Sequence, residues 1–363
     1  MSYSYVAYSP QYRREVLDLQ RLLWSADIAV NDAYFAWKYE HNPYLANPIV
    51  SLALHERRVV GMRGAWGSLW RTRNGAEPAA IPCAGDTVIA RDHRGRGALR
   101  GLNRSLLEML EEAGFRNVLS LSASRPVFHN SIRNGWLPMI DYDSLMRAAP
   151  LFKHRWIRKN RDRLRAALPW RTGPFPAKGR LRRRRSGAPF GVEVHERPPV
   201  DAMASLVRRV EQPGAVGHVR DERYISWRYN CPLSRYLFLT AGADSLDGFM
   251  VLERRRERHR GTNIVDWDVT SPAVFDRLLS AAIRIAGMDD LHIWAVSVPA
   301  SLRAILDQRG FEYSGPARED NYRRCVLVKE LGATDDGGNA RNSPVGLAAD
   351  SSWDLRMIYS DDY

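Results

Sequence analysis

Apolar and polar residues alternate between Tyr3 and Tyr8, the period of a short strand, and Ser9-Pro10 then offers an N-cap and a first-turn proline for a helix over 10–24. Leu17, Leu19, Leu22 and Leu23 supply the apolar side of that helix. Asn31 is expected to cap a second, shorter helix carrying Phe35, Trp37 and Tyr39, which stops at His41-Asn42-Pro43. Alternating runs over 49–55 and 59–71 predict a hairpin around Glu56-Arg57-Arg58, and 81–90 a third strand. Leu99, Leu102, Leu106, Leu107 and Leu110 recur at helical spacing over 98–113, and 117–122 reads as another strand. A short helix then leads to Gly135-Trp136 and a last strand.

From about Phe190 the same order of elements returns. Tyr34-Phe35-Ala36-Trp37-Lys38-Tyr39 is echoed by Tyr224-Ile225-Ser226-Trp227-Arg228-Tyr229, with Pro43 answered by Pro232. A hairpin over 236–254, a strand over 263–269, a long helix over 272–285, a strand over 291–298 and a helix ending at Gly310-Phe311 follow. The expected architecture is therefore α/β: two tandem mixed-sheet domains, 1–149 and 190–331, joined by a linker over 150–189 and followed by a loose tail over 332–363 that ends in a docking segment around Trp353.

Composition changes this picture in one place. The chain carries a net charge of +13, and the stretch from Lys153 to Arg185, with 14 basic side chains against one acid, accounts for all of it. Three prolines, three glycines and the run Arg182-Arg183-Arg184-Arg185 make 169–187 read as a flexible basic linker preceded by a basic helix. Only five of the 54 basic residues are Lys, an arginine bias that a GC-rich genome produces by itself. The three cysteines are too few and scattered for a disulfide framework or zinc site and are expected as buried thiols. No run is long and apolar enough to span a membrane and the start lacks a secretory signal, so a cytoplasmic protein is expected.

The chemistry lies where a strand, the stretch Arg94-Gly95-Arg96-Gly97-Ala98 and a helix follow one another. Successive backbone N–H groups and a helix N-terminus can hold a pyrophosphate there, glycine permits close approach, and arginine adds charge. Val88-Ile89-Ala90-Arg91-Asp92-His93-Arg94-Gly95-Arg96-Gly97-Ala98-Leu99 resembles the acyl-CoA signature of the GNAT N-acetyltransferase superfamily, Arg/Gln-x-x-Gly-x-Gly/Ala after a strand, with Arg94 and Gly97 matching and Leu99 departing from the last position. Asn134-Gly135-Trp136 resembles the family's Leu-Gly-Phe ending. The resemblance implies two tandem GNAT-like domains, of which the second is degenerate because only Thr270-Ser271 stands where its phosphate loop should be. It further implies acetyl-CoA or another acyl-CoA as donor, held by Arg94 to Leu99, with the thioester along Val88, Ile89 and Ala90 and the acyl group passing to an attacking amine.

Asp86 on the same strand is the best-placed general base. The tyrosine many family members use as general acid is replaced by Ser131, which leaves Ser131 and the neighbouring His129 as candidates for that end of the site. Trp37, Tyr39, Trp227 and Tyr229 lie on the short helices that border the acceptor cleft in the family, and Asp266 and Asp268 flank Trp267 on the matching strand of the second half. The reading is an N-acyltransferase acting on a small-molecule or peptide amine. Acyl carrier protein is an alternative donor that would dock on 153–185, and a nucleic-acid or aminoacyl-tRNA-binding protein of Fem-like architecture a second alternative. Nucleic acid is disfavoured because the arginines lack interleaved aromatics, and no metal-ligand cluster is present in the sequence.

Overall fold

The computed structural model describes residues 2–71, 77–141, 143–148, 191–211, 214–255, 261–287, 289–314, 318–319, 322–332, 347 and 352–360. The basic segment, with its expected helix and linker, lies outside the described residues. The chain is a mixed α/β protein with several sheets. Its first seven-stranded sheet draws on β1 (Ser4–Ala7), β2 (Ile49–His55), β3 (Arg58–Trp66), β6 (Cys83–Ile89), β7 (Asn117–Ser120) and β8 (Leu137–Asp141). The short strands β4 (Leu69–Arg71) and β5 (Ala79–Ala80) stand apart from it. Strand β9 (Ser144–Arg147) leaves for a second seven-stranded sheet built with β10 (Glu193–His195), β12 (Ser234–Ala241), β13 (Gly248–Arg255), β14 (Thr262–Val269), β15 (Leu291–Trp294) and β16 (Glu312–Tyr313).

The two sheets share one pairing scheme. In the order β1-β2-β3-β6-β7 the contacts run antiparallel three times and then parallel, and β10-β12-β13-β14-β15 repeats it. They also exchange strands. β9 inserts between β15 and β16; after a two-stranded ribbon of β17 (Arg318–Glu319) and β18 (Tyr322–Arg323), β19 (Cys325–Glu330) crosses back to insert between β7 and β8. Between them lies a four-stranded sheet in which β4 pairs with β11 (Val216–His218), and β11 in turn with β20 (Trp353–Asp354) of the tail.

Helices cover both faces of the first sheet. On one side α1 (Arg13–Gln20) and α2 (Ile28–Phe35), the latter continued by a wide turn over Ala36–Glu40, bury Val16, Leu17, Tyr34 and Phe35 against the sheet. On the other, α3 (Ala98–Glu112) turns Leu102, Leu106 and Leu110 inward, and α4 (Arg125–Arg133) follows β7. In the second half α5 (Val200–Val210) and α6 (Glu222–Arg228) lead the strands, while α7 (Pro272–Ala286) packs on β12, β13 and β14 and α8 (Ala300–Gln308) follows β15.

Three local expectations differ. The first helix is a 3-10 turn over Pro10–Tyr12 and then α1, without a side-chain bond from Ser9, and the chain leaves helical geometry before Trp24. Asp27 caps α2, accepting from Ala29 N–H, whereas Asn31 is buried one turn later and bonds both backbone groups of Ser25. Strand β15 ends at Trp294; Ala295 N–H still meets the Asp143 carbonyl in register with β9, and beyond it Ser297 turns toward the tail.

Trp37 and Trp227 stack with ring centroids 4.8 Å apart and planes 7° from parallel, and each indole N–H donates to the other's backbone carbonyl at 2.9 Å. This seam continues through His218, which is fully buried among Tyr44, Trp70, Tyr224 and Tyr359. Leu69 N–H donates to its Nε2 and its Nδ1 meets the Val219 carbonyl, so the neutral ring is satisfied at both nitrogens. Burial pushes its pKa down to about 3. The unfolded chain takes this proton near pH 6.5 and the folded one refuses it until about 3, so the stability present above 6.5 declines through that window as pH falls, by at most about 1.4 kcal/mol per unit. Between pH 7 and 5 the native protein is expected to lose about 2 kcal/mol more than His218→Gln in urea unfolding. Equal losses would mean that His218 titrates normally in the fold.

Candidate active site

Strands β6 and β7 share a single parallel pair, Cys83 with Leu119, and diverge beyond it. The opening faces the end of β6, where a 3-10 turn over Arg91–His93 leads into Gly95 and Gly97 and then α3. Both glycines have left-handed backbones, at φ 72° and 87°. A Cβ built on either meets no atom within 4 Å, so the space above the loop is open. Gly97 is the N-cap of α3 and provides no side-chain cap, which leaves the first N–H groups of the helix facing that space. Arg94, Gly95, Arg96 and Gly97 are exposed, Ala98 is buried and Leu99 half-buried. Arg94 Nε donates to the Ile89 carbonyl at 3.1 Å, folding the loop back over the strand end. Beside it a pocket of about 370 Å³ is lined by Tyr5, Gly97, Arg100, Gly101, Arg104 and Asn134, among others.

Of the three residues expected to carry the thioester, Ala90 is spoken for: its N–H donates to the Val60 carbonyl. The antiparallel alternation with β3, where Met62 opposes Val88 and Gly61 opposes Ile89, turns the Val88 amide to the same side and leaves that of Ile89 facing the divergent edge. The expected set therefore reduces to Ile89.

Asp86 lies at a bulge where β3 and β6 shift register, with φ 48°. Its carboxylate is wholly buried; Lys38 Nζ donates to Oδ1 at 2.8 Å and Tyr39 OH to Oδ2 at 2.8 Å. Tyr39 reaches it across Gly64, whose absent Cβ would stand 2.3 Å from the phenol oxygen. Both carboxylate oxygens thus serve to hold α2 to the strand. The second half repeats the device with Tyr229 OH donating to Asp266 Oδ2 at 2.9 Å. There Arg220 Nη1 bridges Asp266 and Asp268, and Arg356 from the tail joins Asp268 and Asp354. Burial raises the Asp268 pKa, whereas the neighbouring guanidinium groups hold Asp354 below the usual carboxylate range against the cost of its own burial.

The structure thus corrects the acceptor-side expectations. Trp37, Tyr39, Trp227 and Tyr229 are 7, 0, 8 and 7 % exposed: the two Trp are spent on each other at the seam, while Tyr39 and Tyr229 turn inward to Asp86 and Asp266. Asp266 and Asp268 are buried in the arginine network rather than lining a cleft. Ser131 is on α4, buried, with a hydroxyl that has no partner among the described residues, and His129 is half-buried beside Phe128. Sequence reading missed Arg63, a buried arginine on β3; a lone charged residue inside an otherwise apolar strand is the signal that could have found it.

The end of β14 is built differently. Ser271 caps α7 with its own side chain, accepting from Val274 N–H, and Pro272 occupies the first turn. The opening between β14 and β15 is crossed by the tail: Arg356 Nη1 donates to the Trp267 carbonyl at 2.7 Å and Ser297 Oγ to that of Trp353 at 3.0 Å. Arg228 donates to the carbonyls of Ile358 and Ser360.

The fold that carries this site is matched as a whole among solved structures. A GCN5-related N-acetyltransferase from Anabaena variabilis superposes at TM-score 0.58 with 12% identity over 91% of this chain and 73% of its own. The fold is that of the GCN5-related N-acetyltransferases. A second GCN5-related N-acetyltransferase, from Kribbella flavida, matches the fold at TM-score 0.53 and 16% identity, over 91% of this chain and 72% of its own. A conserved Enterococcus faecalis protein described as a "Probable N-Acyltransferase" matches at TM-score 0.58 and 10% identity over the same shares. No family model and no curated protein matches the sequence. Among the described residues no helix of the fold is long and apolar enough to cross a membrane, and no three His, Cys, Asp or Glu side chains converge on a metal-sized site. All three cysteines are buried.

Proposed function

We propose that the chain is an N-acyltransferase made of two tandem GNAT-like halves, of which the first takes one acyl-CoA and the second takes none. The observation that carries this reading is the contrast between the two helix N-termini. That of α3 is uncapped, glycine-flanked and open, while that of α7 is capped by Ser271 and its strand gap is crossed by the tail. Backbone N–H groups at 97–99 with Arg94 and Arg96 would hold the pyrophosphate, and the pantetheine arm would run along Ile89 into the gap between β6 and β7. The coenzyme supplies an activated acyl thioester. The chain's own part is to orient it, to offer the Ile89 amide to the carbonyl oxygen, and to exclude water.

The acceptor is an amine on a small molecule or peptide, which loses its proton before or during attack. With Asp86 bound at both oxygens, we assign it to positioning Tyr39 and Lys38, and place deprotonation with water or His129. An acyl carrier protein docking on 153–185 remains the second donor reading, supported by the local charge excess.

Calorimetry with acetyl-CoA, longer acyl-CoAs and a loaded carrier protein tests the proposal. One acyl-CoA per chain is expected, and two per chain would overturn it. Gly97→Val is expected to weaken acetyl-CoA binding by at least about 100-fold, because a branched side chain strains a left-handed backbone and fills the phosphate space. Unchanged affinity with an unchanged melting curve would place the coenzyme elsewhere.

A further inference from the structure

The α3 face of the first sheet contains a positive charge with no counter-charge among the described residues. Arg63 on β3 is 1% exposed and stands opposite the bulge at Asp86 and Thr87. Its Nη1 donates to Thr87 Oγ1 at 2.7 Å, while Nε and Nη2 have no partner among the described residues. The guanidinium carbon lies 6.0 Å from the centre of the Trp136 ring, whose indole N–H is also unpartnered. Trp136 N–H donates to the Ser131 carbonyl, and the Ser131 hydroxyl is the third buried polar group there without a partner. Among the other buried guanidiniums near the seam, Arg220 meets Asp266 and Asp268, Arg356 meets Asp268 and Asp354, and Arg228 donates to the carbonyls of Ile358 and Ser360. Burial brings Arg63 down to about 10, still a cation at neutral pH. An unpaired buried charge is costly, and a buried polar group left without a protein partner calls for a water, an ion or a ligand to supply one.

We infer that Arg63 receives a negative charge at the reacting end of an acyl thioester, either the sulfur of the departing thiolate or the carboxylate of a dicarboxylic acyl group. The inference rests on the acyl-CoA reading above. Thr87, which Arg63 holds, immediately precedes the Val88-Ile89 stretch along which the thioester would lie, and the guanidinium sits on the face opposite Asp86. As the amine nitrogen forms its bond to the carbonyl carbon, the carbon–sulfur bond breaks and sulfur keeps the electron pair. The nitrogen's proton goes to water or a base, and Arg63 donates N–H hydrogen bonds to sulfur without giving up a proton. A dicarboxylic acyl group would instead place its carboxylate on the same two donors.

The test is calorimetry on the full chain with acetyl-CoA, CoA and succinyl-CoA between pH 7 and 9.5, comparing the native protein with Arg63→Met and Arg63→Lys. Acetyl-CoA carries no charge at the acyl end and is expected to bind all three within about threefold. For a thiolate, CoA binds the native protein about tenfold tighter as its thiol ionises, and Arg63→Met loses that pH dependence while Arg63→Lys keeps part of it. For a carboxylate, succinyl-CoA outbinds acetyl-CoA about tenfold, and only in proteins that keep the charge. Arg63→Met, relieved of an unpaired charge, is expected to melt no lower than the native protein; if it does not fold, Arg63→Lys is read against the native protein. Identical pH and ligand profiles in native and variant proteins that bind acetyl-CoA overturn the inference alone. Failure of the native protein to bind acetyl-CoA overturns the function it rests on, and the inference with it.

Discussion

A fragment of residues 1–149 is expected to aggregate instead of folding. In the whole chain its sheet is completed by β19, which pairs with β7 on one side and β8 on the other. Without it Asn117, Val118, Leu119 and Ser120 lose their β19 partners, β8 is severed from the sheet, and Cys325, Val326, Leu327 and Val328 leave a gap in the core. The fragment also carries β9, which belongs to the other sheet, so it exposes one orphan strand and two unpaired edges, a template for intermolecular pairing. Losing four buried apolar or thiol side chains at about 1.5–3 kcal/mol for each large one exceeds a typical net stability once the ladder bonds are counted. Joining 1–141 through a short glycine linker to 322–332 is expected to restore the β7–β19–β8 ladder and its strand signal in far-ultraviolet circular dichroism, although Trp37 and Trp70 lose their seam partners in that chain. A monomeric, natively folded 1–149 fragment would show that the strand exchange is dispensable.

The second large effect concerns Asp86. Asp86→Asn keeps a residue that tolerates φ 48° and keeps an acceptor for Tyr39, but it removes the carboxylate charge that faces the Lys38 ammonium in a site where that group is 1% exposed. Breaking a buried pair from one side costs about 3–5 kcal/mol, and the urea midpoint is expected to fall accordingly. Lys38→Met in the same chain removes the ammonium and is expected to recover most of the loss, since a paired or absent charge is tolerated where a single one is not. A catalytic base would behave otherwise, with activity lost, stability unchanged and no rescue by Lys38→Met.

The order of strands and helices was legible in the sequence because each half carries its own periodicity, and the arginine-glycine stretch was legible because a strand, a glycine loop and a helix are contiguous. Which backbone amides face the gap was not, since that depends on ladder phase: Ala90 N–H is taken by Val60, thirty residues away in the chain. The aromatic repeat around Trp37 and Trp227 allowed a cleft as well as a core, core being the commoner place for aromatic helix positions. Only the meeting of two helices 190 residues apart, stacked and hydrogen-bonded to each other, made it core.

By itself the sequence determined the elements, the internal echo, the concentration of charge between Lys153 and Arg185, and the single glycine-rich loop, because each is written in adjacent or regularly spaced residues. Tertiary structure decided everything that pairs distant residues. It sent β9 and β19 into each other's sheets, closed the second gap with the tail, engaged Asp86 with Lys38 and Tyr39, and left Arg63 buried without a counter-charge among the described residues. The physical reason is that strand pairing and ion pairing are satisfied by whichever complementary group reaches the site, and chain connectivity places no mark on which group that is.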